Sequence, residues 1–68
     1  MESLAICVDV GGTFVDLALF DGPRLVAVNK VLNRPQQPSE AVLEGIDGLL
    51  VDVPGGYAAL DSIVYSTT

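Results

Sequence analysis

A carboxylate, two glycines and a hydroxyl follow one another at the end of an apolar run. Asp9 is separated by one residue from Gly11 and Gly12, and Thr13 comes next. Glycines let backbone N–H groups approach phosphate oxygens without obstruction by a Cβ atom, and successive N–H groups in a turn form an anion-binding concavity. Asp9 supplies the oxygen ligand that Mg²⁺ prefers, directly or through water. These residues predict a phosphate loop in which the Thr13 hydroxyl donates to a phosphate or binds the same ion.

The segment matches neither of the common glycine-rich nucleotide patterns. The spacings G-x-x-x-x-G-K-[ST] and G-x-G-x-x-G are both absent, and a strand is predicted to follow in place of a helix. An ordinary Gly-Gly hairpin turn, in which the glycines provide positive φ angles, explains the same residues equally well. The local pattern alone therefore leaves a turn and a binding site open.

Three strands are predicted around this loop. The apolar run at 4–10 is typical of a central strand covered on both faces, and 14–20 forms a second strand that ends at the turn 21–23. Residues 25–31 are rich in β-branched side chains and complete an antiparallel meander. The phosphate loop would then lie in the first hairpin.

A helix and a fourth strand are predicted after a polar, proline-containing connector. Apolar residues recur at helical spacing over 42–53, Pro38 suits the first helical turn, and Pro-Gly-Gly at 54–56 ends the helix. Residues 62–66 are typical of a short strand. The order β-β-β-α-β predicts an α/β fold. Because the last strand has no element after it, we expect residues 1–68 to be the incomplete opening part of a larger domain.

The composition excludes several classes of function. The 68 residues contain one cysteine and no histidine, which excludes a disulfide framework, the usual tetrahedral zinc sites and Ser-His-Asp catalysis for this stretch. The net charge of −6 removes the positive surface that nucleic acid or an anionic membrane needs. The apolar run at 3–10 is too short to cross a bilayer and lacks the basic residues of a secretory signal. We therefore expect a cytoplasmic protein that binds neither nucleic acid nor membrane.

Other polar residues have simpler structural interpretations. Cys7 lies mid-strand between apolar neighbours and is interpreted as a core thiol. Lys30 and Arg34 are interpreted as solvated charges at strand ends or in loops. Glu40 and Glu44 indicate a solvated helix face in preference to a metal cluster.

Three segments of the chain resemble one protein family. Residues 9–16, D-V-G-G-T-F-V-D, are similar to the first phosphate loop of the hydantoinase A/5-oxoprolinase family, usually D-V-G-G-T-F-T-D, within the actin-like ATPase superfamily. Residues 38–45, P-S-E-A-V-L-E-G, resemble the family's P-S-E-A-V-L-E-G-[IL] helix, and 65–68 resemble its [HY]-[GS]-T-T segment. Three segments in the right order are more specific than one glycine pair. The resemblance implies the start of a ribonuclease H-like, actin-like ATPase domain.

The resemblance also implies an activity for the intact protein. Family members act with ATP and Mg²⁺ on cyclic amides such as hydantoin, N-methylhydantoin or 5-oxoproline, commonly alongside a second, B-type subunit. In such a scheme ATP phosphorylates the amide oxygen, which turns a poor electrophile into one that water can open. We expect an ATP-dependent cyclic-amide hydrolase. Residues 1–68 alone should be inactive, because one phosphate loop cannot enclose ATP and exclude water.

The resemblance assigns cofactor-binding roles to seven residues, which are Asp9, Gly11, Gly12, Thr13, Asp16, Thr67 and Thr68. The loop glycines and Thr13 would cradle phosphate, and Asp9 would organise the metal ion. Asp16 matches the motif's final carboxylate, which either braces the hairpin or contacts the metal shell. The two C-terminal threonines would approach the phosphate or the substrate. Val15 replaces the family's usual threonine and removes a hydroxyl near the loop.

Three alternative functions remain open. The first is an ATP-dependent ketone carboxylase subunit of the same family. The second is a sugar kinase of the same superfamily, whose first loop also carries D-x-G-G-T; such kinases typically place lysine or another polar residue after the threonine, so Phe14 and Asp16 favour the amidohydrolase line. The third is a non-catalytic module or fragment that presents a surface to a partner, which the short length favours.

Overall fold

Four strands and one α-helix make up most of residues 3–67, which the computed structural model describes. The elements in chain order are β1 (Leu4–Val10), β2 (Phe14–Asp21), β3 (Arg24–Leu32), α1 (Pro38–Leu50), a short 3-10 helix (Gly56–Ala59) and β4 (Leu60–Thr67). The predicted order β-β-β-α-β is confirmed. The fourth strand is longer at both ends than the predicted 62–66.

The strands form one mixed sheet in the order β3-β2-β1-β4. β1 and β2 pair antiparallel, as do β2 and β3, which confirms the predicted meander. β4 pairs parallel with β1, and α1 lies in the crossover that such a parallel pair requires. This arrangement confirms the expected α/β start with the order β-β-β-α-β. It also brings the carboxyl ends of β1 and β4 to the same edge of the sheet, beside the β1–β2 loop.

One face of the sheet packs against α1 and forms the core. The core side chains alternate along β1 and β2 and meet one side of the helix; they are Leu4, Ile6, Val8, Val15, Leu17, Leu19, Ala41, Val42, Ile46, Leu49 and Leu50. The opposite face, called the open face below, has no covering element within residues 3–67. Cys7 lies on the open face and is exposed, so its interpretation as a core thiol is wrong for this part of the chain. The two-residue period of a strand explains this position, because Cys7 alternates with the buried Ile6 and Val8.

The helix ends at Leu50, before the predicted limit at Val53. The Val53 N–H group donates to the Leu50 carbonyl at 2.9 Å, so the chain turns after the helix while Val53 still packs against the core. The apolar spacing therefore predicted the burial of Val53 but not its backbone conformation. No helix within residues 3–67 has the length and apolar character needed to span a membrane.

The charged face of α1 has partners on the neighbouring loops. Arg34 lies 3.7 Å from a Glu40 carboxylate oxygen and 3.2 Å from one of Glu44, and the exposure of these side chains confirms the predicted solvated face. The Tyr57 hydroxyl donates to Asp47 Oδ1 at 2.8 Å. Burial, with the hydrogen bond to Asp47 as the next cause, raises the pKa of Tyr57 above its ordinary value. These contacts lie on the side of the molecule away from the open face.

Candidate functional site

A row of polar side chains crosses the open face at the end of the sheet next to the β1–β2 loop. The register pairs Lys30 with Asp16, Asp16 with Asp9, and Asp9 with Ser66. Directly paired residues of neighbouring strands project from the same face of a sheet. These four side chains, called the polar row below, therefore lie side by side, and the two carboxylates of the loop motif face each other across β1 and β2.

Short-range contacts link the members of the polar row in pairs. The Ser66 hydroxyl lies 3.4 Å from Asp9 Oδ1 and 3.5 Å from the Val8 carbonyl oxygen, both long for hydrogen bonds. Lys30 Nζ lies 3.6 Å from Asp16 Oδ1. Like charges placed directly opposite in a sheet are destabilising, and one exposed ion pair offsets little of this repulsion. The row thus holds two carboxylates and one ammonium group, which leaves it with a net negative charge.

The donor set of the polar row fits a hard divalent cation that keeps part of its own hydration. Magnesium takes oxygen ligands, is commonly bound by one or two carboxylates, and retains several waters. Within residues 3–67 there is no cluster of three or more His, Cys, Asp or Glu side chains suited to a metal. A cation held by Asp9 would therefore complete its coordination with water, hydroxyl or phosphate oxygens.

The β1–β2 loop does not use left-handed backbone. Among the described residues, positive φ angles occur at Gly22, Gly55 and Gly56, so the expectation that the loop glycines provide positive φ is wrong. Residues 11–14 connect the ladder pair Val10–Val15, and the Gly11 N–H group donates to the Phe14 carbonyl at 2.9 Å. This wider loop reverses the chain with ordinary φ angles.

Gly12 has no structural reason to be glycine within the described residues. A Cβ atom added at Gly12 would meet nothing within 4 Å, and its backbone needs no positive φ. Glycine at such a position is explained when a ligand must approach the backbone closely. This favours the binding-site interpretation over an ordinary hairpin turn.

The loop also presents backbone donors. Within residues 3–67 the N–H groups of Gly12 and Thr13 donate to no protein acceptor, while the Thr13 carbonyl accepts the Asn33 N–H group at 2.8 Å. Consecutive N–H groups without internal partners form the kind of concavity that holds anions. Two such donors at the edge of the polar row would suit phosphate oxygens.

Asn33 holds the loop in place, a role that its position in the sequence does not indicate. Its side-chain Nδ2 donates to the Gly11 carbonyl at 2.6 Å, and its backbone N–H group donates to Thr13. Its Oδ1 atom is buried and has no hydrogen-bond partner among the described residues. Asn33 and Gly11 are 22 positions apart, so no local pattern could have indicated the contact.

Replacing Asn33 with alanine should loosen the loop more than it destabilises the fold. The change removes one hydrogen bond, worth about 1 kcal/mol, but it also removes an unsatisfied buried acceptor, so the net loss of stability should stay below that value. Backbone amides of residues 11–14 should exchange with solvent faster in hydrogen–deuterium exchange experiments. Gln36→Ala, an exposed change in the same connector, is the control. Equal exchange rates at 11–14 in the two variants would contradict the tethering role of Asn33.

An open cavity of about 790 Å³ adjoins the polar row on the open face. All four side chains of the row line it. Its floor is formed by the small and apolar side chains of the next row across the sheet, which are Cys7, Ala18, Val28 and Val64. The cavity therefore has one charged border, and that border lies beside the loop.

The structure brings most of the predicted site residues to one place. Asp9 and Asp16 lie in the polar row, and 11–13 form the adjoining loop. Thr67 pairs with Val10, so its side chain lies on the opposite face from Asp9, although it is near the same edge of the sheet. Thr68 lies outside the described residues. In place of the threonines, β4 contributes Ser66 to the row, through a parallel register with β1 that no local pattern indicates.

The chain matches a model of a known protein family. The model of the family described as hydantoinase/oxoprolinase N-terminal region matches residues 5–68. No curated protein and no solved structure matches the chain. The matched range includes the loop, the helix and the last strand, which are the three segments that carry the resemblance found in the sequence.

Proposed function

The chain belongs to the hydantoinase/oxoprolinase family, of which it carries the N-terminal region, and from this premise we propose that the intact protein is an ATP-dependent cyclic-amide hydrolase. The substrate would be of the hydantoin, N-methylhydantoin or 5-oxoproline type. One structural observation carries the ATP part of the proposal. The polar row places two carboxylates beside a loop whose Gly12 and Thr13 N–H groups have no acceptor within residues 3–67.

Different residues of this chain would bind different parts of a nucleotide and its metal ion. Asp9, half-buried and contacted by Ser66, would orient a metal-bound oxygen or water, and the N–H groups of Gly12 and Thr13 would receive phosphate oxygens. Bound ATP and Mg²⁺ would supply the phosphoryl group that activates the amide oxygen and the positive charge that stabilises its transfer. A protein catalyses phosphoryl transfer mainly by positioning the reacting groups and by neutralising the charge on the phosphate. The loop and the polar row fit both tasks.

The proposal includes a partner and a location. A second, B-type subunit would contribute to the active enzyme, as the family resemblance implies. A cytoplasmic location agrees with the single cysteine, because proteins of reducing compartments seldom depend on disulfides.

The test is ATP hydrolysis by the intact protein, assayed with its co-purifying subunit if there is one. We expect turnover that requires Mg²⁺ and rises when 5-oxoproline or a hydantoin is added. Turnover that responds to bicarbonate and a ketone would support the carboxylase alternative instead. Sugar phosphorylation without any response to cyclic amides would support the kinase alternative. Absence of nucleotide binding in the intact protein would support a non-catalytic role.

Replacing Gly12 with alanine should weaken nucleotide binding by about 10-fold or more without lowering thermal stability. The new Cβ meets no protein atom and sits on unstrained backbone, but it would occupy the space through which phosphate approaches the loop. The measurement is a titration with a fluorescent ATP analogue, together with a thermal unfolding curve.

A second glycine provides the control for this prediction. Gly22, in the turn between β2 and β3, has a φ of 56° and lies at the other end of the sheet. Gly22→Ala should lower stability by about 1 kcal/mol, because a side chain is strained in that conformation, and should leave nucleotide affinity unchanged. If Gly12→Ala instead lowers stability and leaves affinity intact, the loop is an ordinary turn.

A further inference from the structure

Lys30, interpreted from the sequence as a solvated charge, lies beside the candidate site. Its side chain belongs to the polar row and lines the open cavity. Its Nζ atom lies 3.6 Å from Asp16 Oδ1 and 4.8 Å from the centre of the Phe14 ring. Phe14 is the first residue of β2 after the loop, so the ammonium group is held at the loop end of the sheet.

The distribution of positive charge makes Lys30 unusual in this chain. Lysine and arginine together number three against nine acidic residues. Arg24 pairs with Asp21 at the far end of β2 and β3, and Arg34 pairs with Glu40 and Glu44 beside the helix. Among the side chains of the described residues, Lys30 is thus the one cationic group that borders the cavity.

The ion pair between Lys30 and Asp16 is weak enough for Lys30 to exchange Asp16 for another anion. The Lys30 side chain is 59% exposed and that of Asp16 is 57% exposed, and ion pairs between exposed side chains contribute little. The row carries two carboxylates against one ammonium group, so its net negative charge would repel an approaching phosphate group. A divalent cation bound at Asp9 and Asp16 would remove that repulsion, and the ammonium group of Lys30 would then be available to pair with a different anion.

We propose that Lys30 is a nucleotide-binding residue whose ammonium group contacts a phosphate oxygen once a divalent cation neutralises Asp9 and Asp16. The proposal rests on the proposed function, because it takes a nucleotide as the occupant of the loop. The ammonium is a compact point charge on a flexible stem, which suits contact with a phosphate oxygen across a neighbouring strand. The loop itself has no positively charged side chain. Lys30 thus supplies the positive charge beside it.

The test compares two substitutions of Lys30 with a control substitution of Arg24 in the intact protein. Lys30→Gln should weaken binding of a fluorescent ATP analogue in the presence of Mg²⁺ by about 10-fold, as expected for loss of a charge-assisted hydrogen bond. Lys30→Arg should retain most of the affinity, because it keeps the charge. Binding by Lys30→Gln should also depend less steeply on salt concentration.

Arg24→Gln is the matched control. Arg24 lies on the same strand as Lys30, is also exposed, and pairs with a β2 carboxylate at a similar distance of 3.7 Å, but it lies away from the loop. Its replacement should leave nucleotide affinity unchanged. Equal losses in Lys30→Gln and Arg24→Gln would overturn the proposal, because the effect would then be one of overall charge.

Two further outcomes separate this inference from the proposed function. If the unmodified protein binds the nucleotide and Lys30→Gln binds it equally well, Lys30 has no role in binding while the proposed function stands. If the unmodified protein does not bind the nucleotide with Mg²⁺ at all, the proposed function fails and this inference fails with it.

Discussion

Replacing Asp9 with asparagine should reduce ATP turnover of the intact protein by about 100-fold or more and leave the fold at least as stable as before. Asp9 is the carboxylate that would organise Mg²⁺ next to the loop, and the charge stabilisation a metal ion gives is worth several kcal/mol in the transition state. An amide in place of the carboxylate has the same shape but carries no charge. Steady-state ATP hydrolysis and a Mg²⁺ titration of nucleotide binding would measure the loss.

The expected effect on stability has the opposite sign, for a reason visible in the sheet. Asp9 and Asp16 are direct cross-strand partners, and like charges in that position destabilise a sheet by a few tenths of a kcal/mol to about 1 kcal/mol. The neutral side chain of Asp9→Asn removes this repulsion. A carboxylate whose loss harms function while stability stays level or rises is a residue kept for its chemistry.

Asp52→Asn is the control for this prediction. Asp52 is an exposed carboxylate just after α1, and its neutralisation changes the net charge by the same amount. It should leave both turnover and Mg²⁺ dependence unchanged. Normal turnover in Asp9→Asn, or an equal loss in both variants, would remove Asp9 from the metal site.

Replacing Gly45 with valine should lower the free energy of unfolding by about 3 kcal/mol, near the upper end of the range for overpacking a core. A Cβ atom at Gly45 would overlap Leu17 Cδ1 and lie 2.9 Å from Leu17 Cδ2. Leu17 is 3% exposed and surrounded by the core, so it has nowhere to move. The glycine costs the helix up to about 1 kcal/mol of intrinsic stability, which close packing of α1 on the sheet must offset. Chemical denaturation followed by circular dichroism would measure the change.

Two further variants test this explanation of Gly45. A Cβ at Gly48 would contact the Asn29 Nδ2 atom at 2.6 Å, but that amide is the end of a side chain that can turn aside. Gly48→Val should therefore cost less, mainly the bond of about 1 kcal/mol that Asn29 donates to the Gly45 carbonyl. Leu17→Ala combined with Gly45→Val should cost less than the sum of the two single changes, because the smaller side chain makes room. Additive costs would show that the contact with Leu17 is not the cause.

Local features of the sequence were enough to locate the elements. The apolar run at 4–10 ends at a Gly-Gly pair, and β1 has these bounds in the structure. Pro38 begins α1 as its preference for the first helical turn predicts. Each of these signals depends on residues within a few positions of one another, so it is present in the sequence whatever the rest of the chain does. The three segments at 9–16, 38–45 and 65–68 are local in the same sense, and this is why the family could be identified from the sequence.

The membership of the polar row and the anchoring of the loop were decided by tertiary structure alone. Ser66 lies 57 positions from Asp9 and joins it because β4 pairs parallel with β1. A shift of this register by one residue would place the Ser66 side chain on the other face of the sheet. Lys30 reaches Asp16 through the β2–β3 register, and Asn33 reaches the loop because β3 ends beside it. The sequence by itself determined the strands, the helix and the phosphate-loop motif, since periodicity and turn chemistry act over short separations. Which side chains share one face of the sheet depends on strand order and register, and these are set only when distant segments pack together.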